Sequence, residues 1–402
     1  MPFICLKEAF NMKILQVTPY FPPAYAFGGP VKVTYQISRE LIKRGHEVVV
    51  YTTDAKDFGS RLEIDSSNII ERMKVHRFRN LSLALVKKFK FSVTPQLALF
   101  ARKEVKKFDI IHLHEYRTFQ NIVIHHYISK YDVPYILQAH GTIPRVGKKE
   151  LKWIYDAFFG YRLLRDTSKV IALSRVEAEQ YKRMGVPKEK IAIIPNGIDL
   201  SEYAELPPKG SFKKKFNIPE DKKVILYLGR IHKTKGIDFL IRAYAHLKNE
   251  MKCRDVVLVI AGPDDGYLND AKASANSLGL YNSVMFTGFI SSEDKLMALV
   301  DAEVFVTPSF YGFPMTFLEA CAVGTPIVTT SLGDTLEWID RNVGYVAQPT
   351  PYDLAEAIYR IISDDELRRR FSKNCIETVK SEFSIDKVVE RLEKVYEEIV
   401  EG

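Results

Sequence analysis

Apolar residues along this 402-residue chain fall into two recurring patterns. Short β-branched runs such as Val48-Val49-Val50 and Val304-Phe305-Val306 have the length of buried strands. Between them lie longer segments whose apolar positions return at helical spacing, as in Val31, Tyr35, Ile37 and Leu41. The strand-like runs are Lys13 to Val17, Val48 to Tyr51, Phe108 to His114, Val133 to Gln138, Val170 to Leu173 and Ile191 to Ile194. A second group comprises Lys223 to Leu228, Val256 to Ile260, Val284 to Phe286, Val304 to Val306 and Pro326 to Val328. Strand alternating with helix predicts an α/β fold built on parallel sheets. Pro207-Pro208 and the Lys-rich GSFKKKF separate the groups and read as a link with a solvated lysine face. The expectation is therefore two doubly wound, Rossmann-like domains, residues 1–205 and 206–380, followed by a helical segment at 381–402.

The stretch Glu303 to Thr330 carries the most chemistry. Pro308-Ser309 are expected to end its strand, Tyr311-Gly312-Phe313-Pro314 to form a loop, and Pro314 to open a helix. The first N–H groups of a helix lack internal partners, and the dipole adds positive potential there. An anion such as a pyrophosphate is favoured at that junction. Glu319 lies about one turn inside, where its carboxylate can bind the vicinal hydroxyls of a ribose or simply be solvated. In the second half, Arg230 and Lys235 follow the strand Lys223 to Leu228. Two cations there can neutralise a diphosphate and stabilise charge on a leaving group; otherwise Arg230 is a surface charge. His232 and Lys233, in the same loop, read as solvent-facing. Asp264-Asp265-Gly266 reads as a turn, lacking the further ligands of a calcium loop.

In the first half, Gly28-Gly29 sit where a first strand meets a first helix. That position suits close backbone approach to a ligand, and equally a plain flexible turn. His112 and His114 alternate onto one face of a strand, with no obvious third metal ligand, and read as structural or cleft-edge histidines. His140-Gly141 follows another strand and, taken alone, reads as a turn. Lys149 to Asp166 reads as a helix with Trp153, Ile154, Ala157, Phe158, Tyr161 and Leu164 on its apolar side. These read as core, with a membrane-facing stripe as the alternative. Ser174 and Ser292 are the expected caps of two further helices.

The motifs together resemble the family 4 retaining glycosyltransferases of the group 1 superfamily. That family carries Pro-Ser, a short loop, Glu-Gly-Phe-Gly/Pro and Leu-Glu-Ala; here stand Pro308-Ser309, Gly312-Phe313-Pro314 and Leu318-Glu319-Ala320. Arg230…Lys235-Gly236, His140-Gly141 and Pro195-Asn196-Gly197 match as well. The resemblance implies the GT-B architecture, two such domains facing a central cleft, with a last helix crossing back to the first domain. It implies hexosyl transfer from a nucleoside-diphosphate sugar to a glycan or lipid-linked acceptor, with Arg230, Lys235 and His140 as catalytic residues. It implies donor contacts at Glu319, Gly28, Gly29, Gly288, Phe289, Met315, Thr316, Phe317, Tyr311, Gly312 and Phe313, and neither cofactor nor metal. One departure stands out: the glutamate before Gly-Phe, which in the family holds donor-sugar hydroxyls, is missing, so that either Tyr311 replaces it or the loop is one residue shorter. A non-catalytic nucleotide-sugar or glycan-binding protein, or a nucleotide-sugar epimerase, are the alternatives.

Charge narrows the partners. The formal net charge is +8 and the sequence pI about 9.0, yet no nucleic-acid-binding motif is present. Anionic small substrates, and peripheral contact with a membrane inner face, are favoured over nucleic acid. Cys5, Cys253, Cys321 and Cys375 form no metal or disulfide spacing, which points to the cytoplasm. No apolar run reaches the length of a spanning helix. Met12 opens the first strand, so residues 1–11 are expected to be an upstream extension.

Overall fold

The computed structural model describes residues 11–63, 67–334 and 336–402. Cys5 and the upstream extension lie outside them, except Asn11, as does Thr335. Two compact units result: residues 1–197 with 385–402, and residues 198–384.

The first unit is built on strands β1 (Lys13–Val17), β2 (Glu47–Thr53), β3 (Ser67–Ile70), β4 (Met73–Phe78), β5 (Ile110–His114), β6 (Tyr135–Gln138), β7 (Lys169–Ala172) and β8 (Ile191–Ile193). They form one sheet in the order β3-β4-β2-β1-β5-β6-β7-β8, parallel except where β3 pairs antiparallel with β4. Leu15, Val17, Ile111, Leu113, Leu137 and Val170 are fully enclosed in its core, as continuous apolar strands covered on both faces should be. The helix Ile385–Glu401 belongs to this unit. Its Tyr396 is buried, and its Glu393 accepts hydrogen bonds from Arg44 at 3.0 Å and pairs with His46 at 2.7 Å.

The second unit carries β9 (Lys223–Leu228), β10 (Val256–Ala261), β11 (Val284–Gly288), β12 (Ala302–Phe310), β13 (Ile327–Gly333) and β14 (Gly344–Ala347). Its all-parallel sheet runs β11-β10-β9-β12-β13-β14. β12 is longer than expected and contains Pro308 and Ser309. The register against β13 shifts between Thr307 and Ser309, and at such an irregularity the missing N–H of a proline costs no ladder bond. The GSFKKKF segment is no link. Ser211–Lys215 is a short helix docked through buried Phe212 and Lys213, and Asp301 accepts the backbone N–H groups of Gly210 (2.5 Å) and Lys213 (2.9 Å). Ser174 caps its helix as expected, whereas the cap of Ser292–Asp301 is Ser291, one residue earlier.

The aromatic helix departs furthest from expectation. It runs as Lys149–Tyr155, a π turn at Asp156–Gly160, and Tyr161–Asp166. Its inner side is Tyr155, Asp156, Gly160, Leu163 and Leu164, while Trp153, Ile154, Ala157, Phe158 and Tyr161 face outward. The π turn adds a residue and shifts the phase of the buried face, which a regular 3.6-residue reading cannot follow. Cys253, Cys321 and Cys375 are unpaired thiols.

Candidate functional site

Each sheet reverses its strand order at one place. In the second unit β9 lies between β10 and β12; in the first, β1 lies between β2 and β5. Loops leaving such neighbouring strands part to opposite faces and open a crevice at their carboxyl ends. The sequence-selected residues of the second unit leave β9, β11 or β12, and those of the first leave β1, β5 or β6.

In the second unit the exits of β9, β10 and β11 are tied together. Gly229 N–H donates to the Ala261 carbonyl at 3.0 Å, and Gly262 N–H to that of Gly288 at 2.8 Å. A Cβ on Gly262 would sit 1.9 Å from the Gly229 oxygen, so only glycine allows this approach. Arg230 is half-exposed and its guanidinium pairs with Asp265. Lys235 closes a 3₁₀ turn, Lys233–Lys235. Burial and the neighbouring Arg230 charge lower its pKa, and it has no acidic partner among the described residues. His232 is partly buried, and its Nδ1 accepts the Thr234 N–H at 3.2 Å, capping the turn. The next residue, Gly236, has φ 69°, and a Cβ there would lie 3.1 Å from Pro308 Cβ. The lysine turn therefore rests on the end of β12.

Beyond β12, Tyr311 is exposed and Gly312 adopts φ 76°. The Gly312 N–H donates to Asp334 Oδ2 at 2.5 Å, and burial raises the Asp334 pKa against the lowering effect of that bond. Phe313 turns inward, its ring 5.8 Å from Phe383 and 6.2 Å from Trp338, so its side chain anchors the loop. Pro314 caps the helix Met315–Ala322 without a side-chain acceptor. The Met315 and Thr316 amides at this first turn are uncapped by any side chain, whereas Phe317 N–H reaches the Pro314 carbonyl at 3.2 Å. The Phe317 ring is core, edge-on to Phe310 at 5.0 Å. Glu319 is almost wholly buried, with Lys295 Nζ donating to its Oε1 at 2.7 Å. At the end of β11, Gly288 has φ 70° and Phe289 stands 79 % exposed. Asp265, Lys295 and Asp334 are the charged residues of this region that the sequence reading did not select as site residues.

In the first unit Gly28 (φ 97°) and Gly29 form the exposed start of the helix Gly29–Lys43, which has no side-chain cap. Three histidines gather at the ends of β5 and β6. His114 Nε2 is 2.6 Å from Gln16 Oε1, and His114 Nδ1 is 2.9 Å from His140 Nε2. An amide oxygen only accepts, so His114 carries its proton on Nε2 and accepts the His140 Nε2–H. That leaves His140 Nδ1 as a bare lone pair, buried and without a partner among the described residues. His112 Nδ1 lies 2.8 Å from the Tyr396 hydroxyl. Burial, aided by mutual repulsion, drives His112 and His114 well below the usual imidazole range, and burial alone lowers His140 to about 3. His140 and Gly141 are both left-handed, and the Gly141 N–H is held by Glu177 Oε1 at 2.6 Å. Directly after His114, Glu115 adopts φ 61°, and burial pushes its carboxyl up to about 7 despite Lys90 nearby. Sequence reading did not select Glu115; strained backbone at a strand's carboxyl end is a frequent companion of function.

Residues 208–378 match the family model Glycosyl transferases group 1, and residues 27–202 match Glycosyltransferase Family 4. An uncharacterised glycosyltransferase of Methanocaldococcus jannaschii is 29% identical over 399 residues, covering 96% of this chain and 98% of its own. Alpha-monoglucosyldiacylglycerol synthase of Streptococcus pneumoniae is 29% identical over 328 residues, 77% of this chain and 68% of its own. Among solved structures, Anabaena HepE in complex with UDP and glucose aligns with a TM-score of 0.75 at 18% identity, covering 96% of this chain and 100% of that one.

Proposed function

Since the chain belongs to the group 1, family 4 retaining glycosyltransferases, GT-B proteins that transfer sugar from a nucleotide sugar, we propose a metal-independent hexosyltransferase in which Arg230 and Lys235 stabilise the departing diphosphate. The observation carrying this is Lys235, a partly buried ammonium with no acidic partner among the described residues, on a turn seated against β12. A buried cation without a counter-charge is costly; a diphosphate would supply that charge. The uncapped amides of Met315 and Thr316 add dipolar stabilisation. Glu319, steered by Lys295, takes the ribose hydroxyls, and exposed Phe289 offers a face to the base. HepE binding UDP and the glucosyl chemistry in the pneumococcal relative's name favour a uridine donor carrying a hexose.

The first unit contributes acceptor-side groups: the Gly28-Gly29 turn and His140, whose bare Nδ1 accepts a substrate hydroxyl. In retaining transfer on one face, the bond from the anomeric carbon to the diphosphate oxygen breaks. The acceptor oxygen bonds to that carbon, and its proton passes to an oxygen of the leaving diphosphate. A glycan or lipid-linked hydroxyl is the proposed acceptor, met at the inner face of a membrane.

The test is donor selection followed by turnover. UDP should raise the melting temperature more than GDP or ADP, a UDP-hexose should be consumed, and EDTA should leave the rate unchanged. Lys235→Met should cut kcat by about 100-fold or more, as loss of a leaving-group stabiliser does. Wild-type turnover in that variant would overturn the assignment.

A further inference from the structure

We infer that the outward face of the helix at residues 149–166, continued by the tip of the helix Leu83–Phe89, is a docking surface for an anionic lipid bilayer. Leu151, Trp153, Ile154, Phe158 and Tyr161 all lie on this side, with Trp153 58 % and Phe158 66 % exposed. Leu151, Ile154, Phe158 and Tyr161 succeed one another at helical spacing. The patch extends sideways: Lys148 Nζ sits 4.7 Å from the centroid of half-exposed Phe89 and donates to the Lys88 carbonyl. Single exposed apolar residues are ordinary, but a contiguous group marks a surface that meets something.

Charge identifies the occupant. Lys148, Lys149, Lys152, Arg162 and Arg165 rim the aromatics, against exposed Glu150 and Asp166, the latter already paired with Arg165 at 2.9 Å. A basic rim around Trp, Phe and Tyr is the composition of a helix lying in an anionic interface. A second copy is the weaker occupant, because an isologous contact would set this rim against itself. No helix among the described residues is long and apolar enough to cross a membrane, so the contact lies in the plane of the interface.

The face is rigid and tied to the proposed acceptor side. Asp156, on the helix's inner side, is fully buried between Arg117 (2.8 Å) and Arg145 (2.7 Å). A Cβ on Gly160 would lie 2.3 Å from the Tyr116 hydroxyl oxygen, so the inner side is in close contact. Arg117 also donates to the carbonyls of Thr142 and Ile143, just beyond His140. The loop after His140 is therefore held behind the docking helix through Arg117 and Asp156.

The chain has two tryptophans, so full-length Trp338→Phe leaves Trp153 as the sole indole reporter. Vesicles of phosphatidylcholine with phosphatidylglycerol should shift its emission to the blue, acyl-brominated lipid should quench it, and pure phosphatidylcholine should do neither. Phe158→Glu should lower the vesicle partition coefficient by about tenfold or more. Lys149→Glu, at an exposed site, should lower it roughly fivefold, with added salt weakening the parent. Unchanged emission at saturating anionic vesicle, or undiminished flotation of Phe158→Glu, would overturn the inference. So would a dimer in sedimentation that Phe158→Glu dissociates. No donor enters these assays, so failure of the transferase reading would leave their outcome standing.

Discussion

Lowering the pH should unfold the first unit through its three enclosed histidines. His112, His114 and His140 stay neutral in the folded unit because burial penalises their charge. In the unfolded chain each titrates near 6.5. Below that pH the unfolded state binds protons the folded state does not, so stability falls as pH falls. At pH 5 the loss is about 2 kcal/mol per histidine, or about 6 kcal/mol for three. Glu115 works the other way. Its folded pKa, near 7, lies above the ordinary value, so between about 4.5 and 7 the folded state holds the extra proton. Its contribution therefore grows on acidification and returns about 2 kcal/mol by pH 5, an upper value because part of its surface meets water. The histidines win, with a net loss of about 4 kcal/mol, comparable to the whole stability of many domains. Urea unfolding of Trp338→Phe, followed by Trp153 emission at pH 7.5 and pH 5, reads this unit alone. The indole N–H of Trp338 has no hydrogen-bond partner among the described residues to lose. Glu115→Gln should steepen the acid loss towards about 6 kcal/mol. A free energy flat between the two pH values, or a slope indifferent to Glu115→Gln, would refute the reasoning.

Five further outcomes are expected. Arg230→Ala should lower kcat more than it raises KM in steady-state donor kinetics, while Glu319→Ala should chiefly weaken UDP binding in calorimetry, by about 1–3 kcal/mol. Gly262→Ala should destabilise the second unit by about 3 kcal/mol or more in thermal unfolding, since its Cβ meets the Gly229 oxygen and backbone must move. Asp156→Asn should cost about 3–5 kcal/mol by leaving two arginines short of a carboxylate, seen as a lower urea midpoint for Trp153. Tyr396→Phe should cost about 1–3 kcal/mol by stranding His112 Nδ1, measured by the same unfolding.

What could be read from the sequence follows from the range of the forces involved. β-branched runs and helical periodicity are local, and they located β1, β2 and β5 to β13, though not β3 or β4, together with the loops Arg230 to Lys235 and Tyr311 to Pro314. Partners distant in the chain left no such trace. Lys295 reaches Glu319 across 24 positions, Asp265 meets Arg230 across 35, and Tyr396 bonds His112 across 284. Those pairings exist only once sheet order brings strand ends together. Phe313 and Phe317 illustrate the converse: their motif position is local, but Trp338, Phe383 and Phe310 turn their rings inward, leaving the backbone of the loop as the chemically available part.

The aromatic helix shows why periodicity alone could not say what covers an apolar face. A stripe of Trp153, Ile154, Phe158 and Tyr161 has the same spacing whether it meets a core or a bilayer. The deciding features lie on the opposite side of the helix. Asp156 occupies a position an apolar core helix would give to leucine, and it is satisfied by Arg117 and Arg145. Gly160 permits close contact with Tyr116. Once that polar and small inner side is recognised as the packed one, the aromatics must face out. Their energetic cost in water, about 1.5–3 kcal/mol for each large apolar side chain left exposed rather than buried, then argues for an apolar environment elsewhere. The rim of lysines and arginines makes that environment an anionic one.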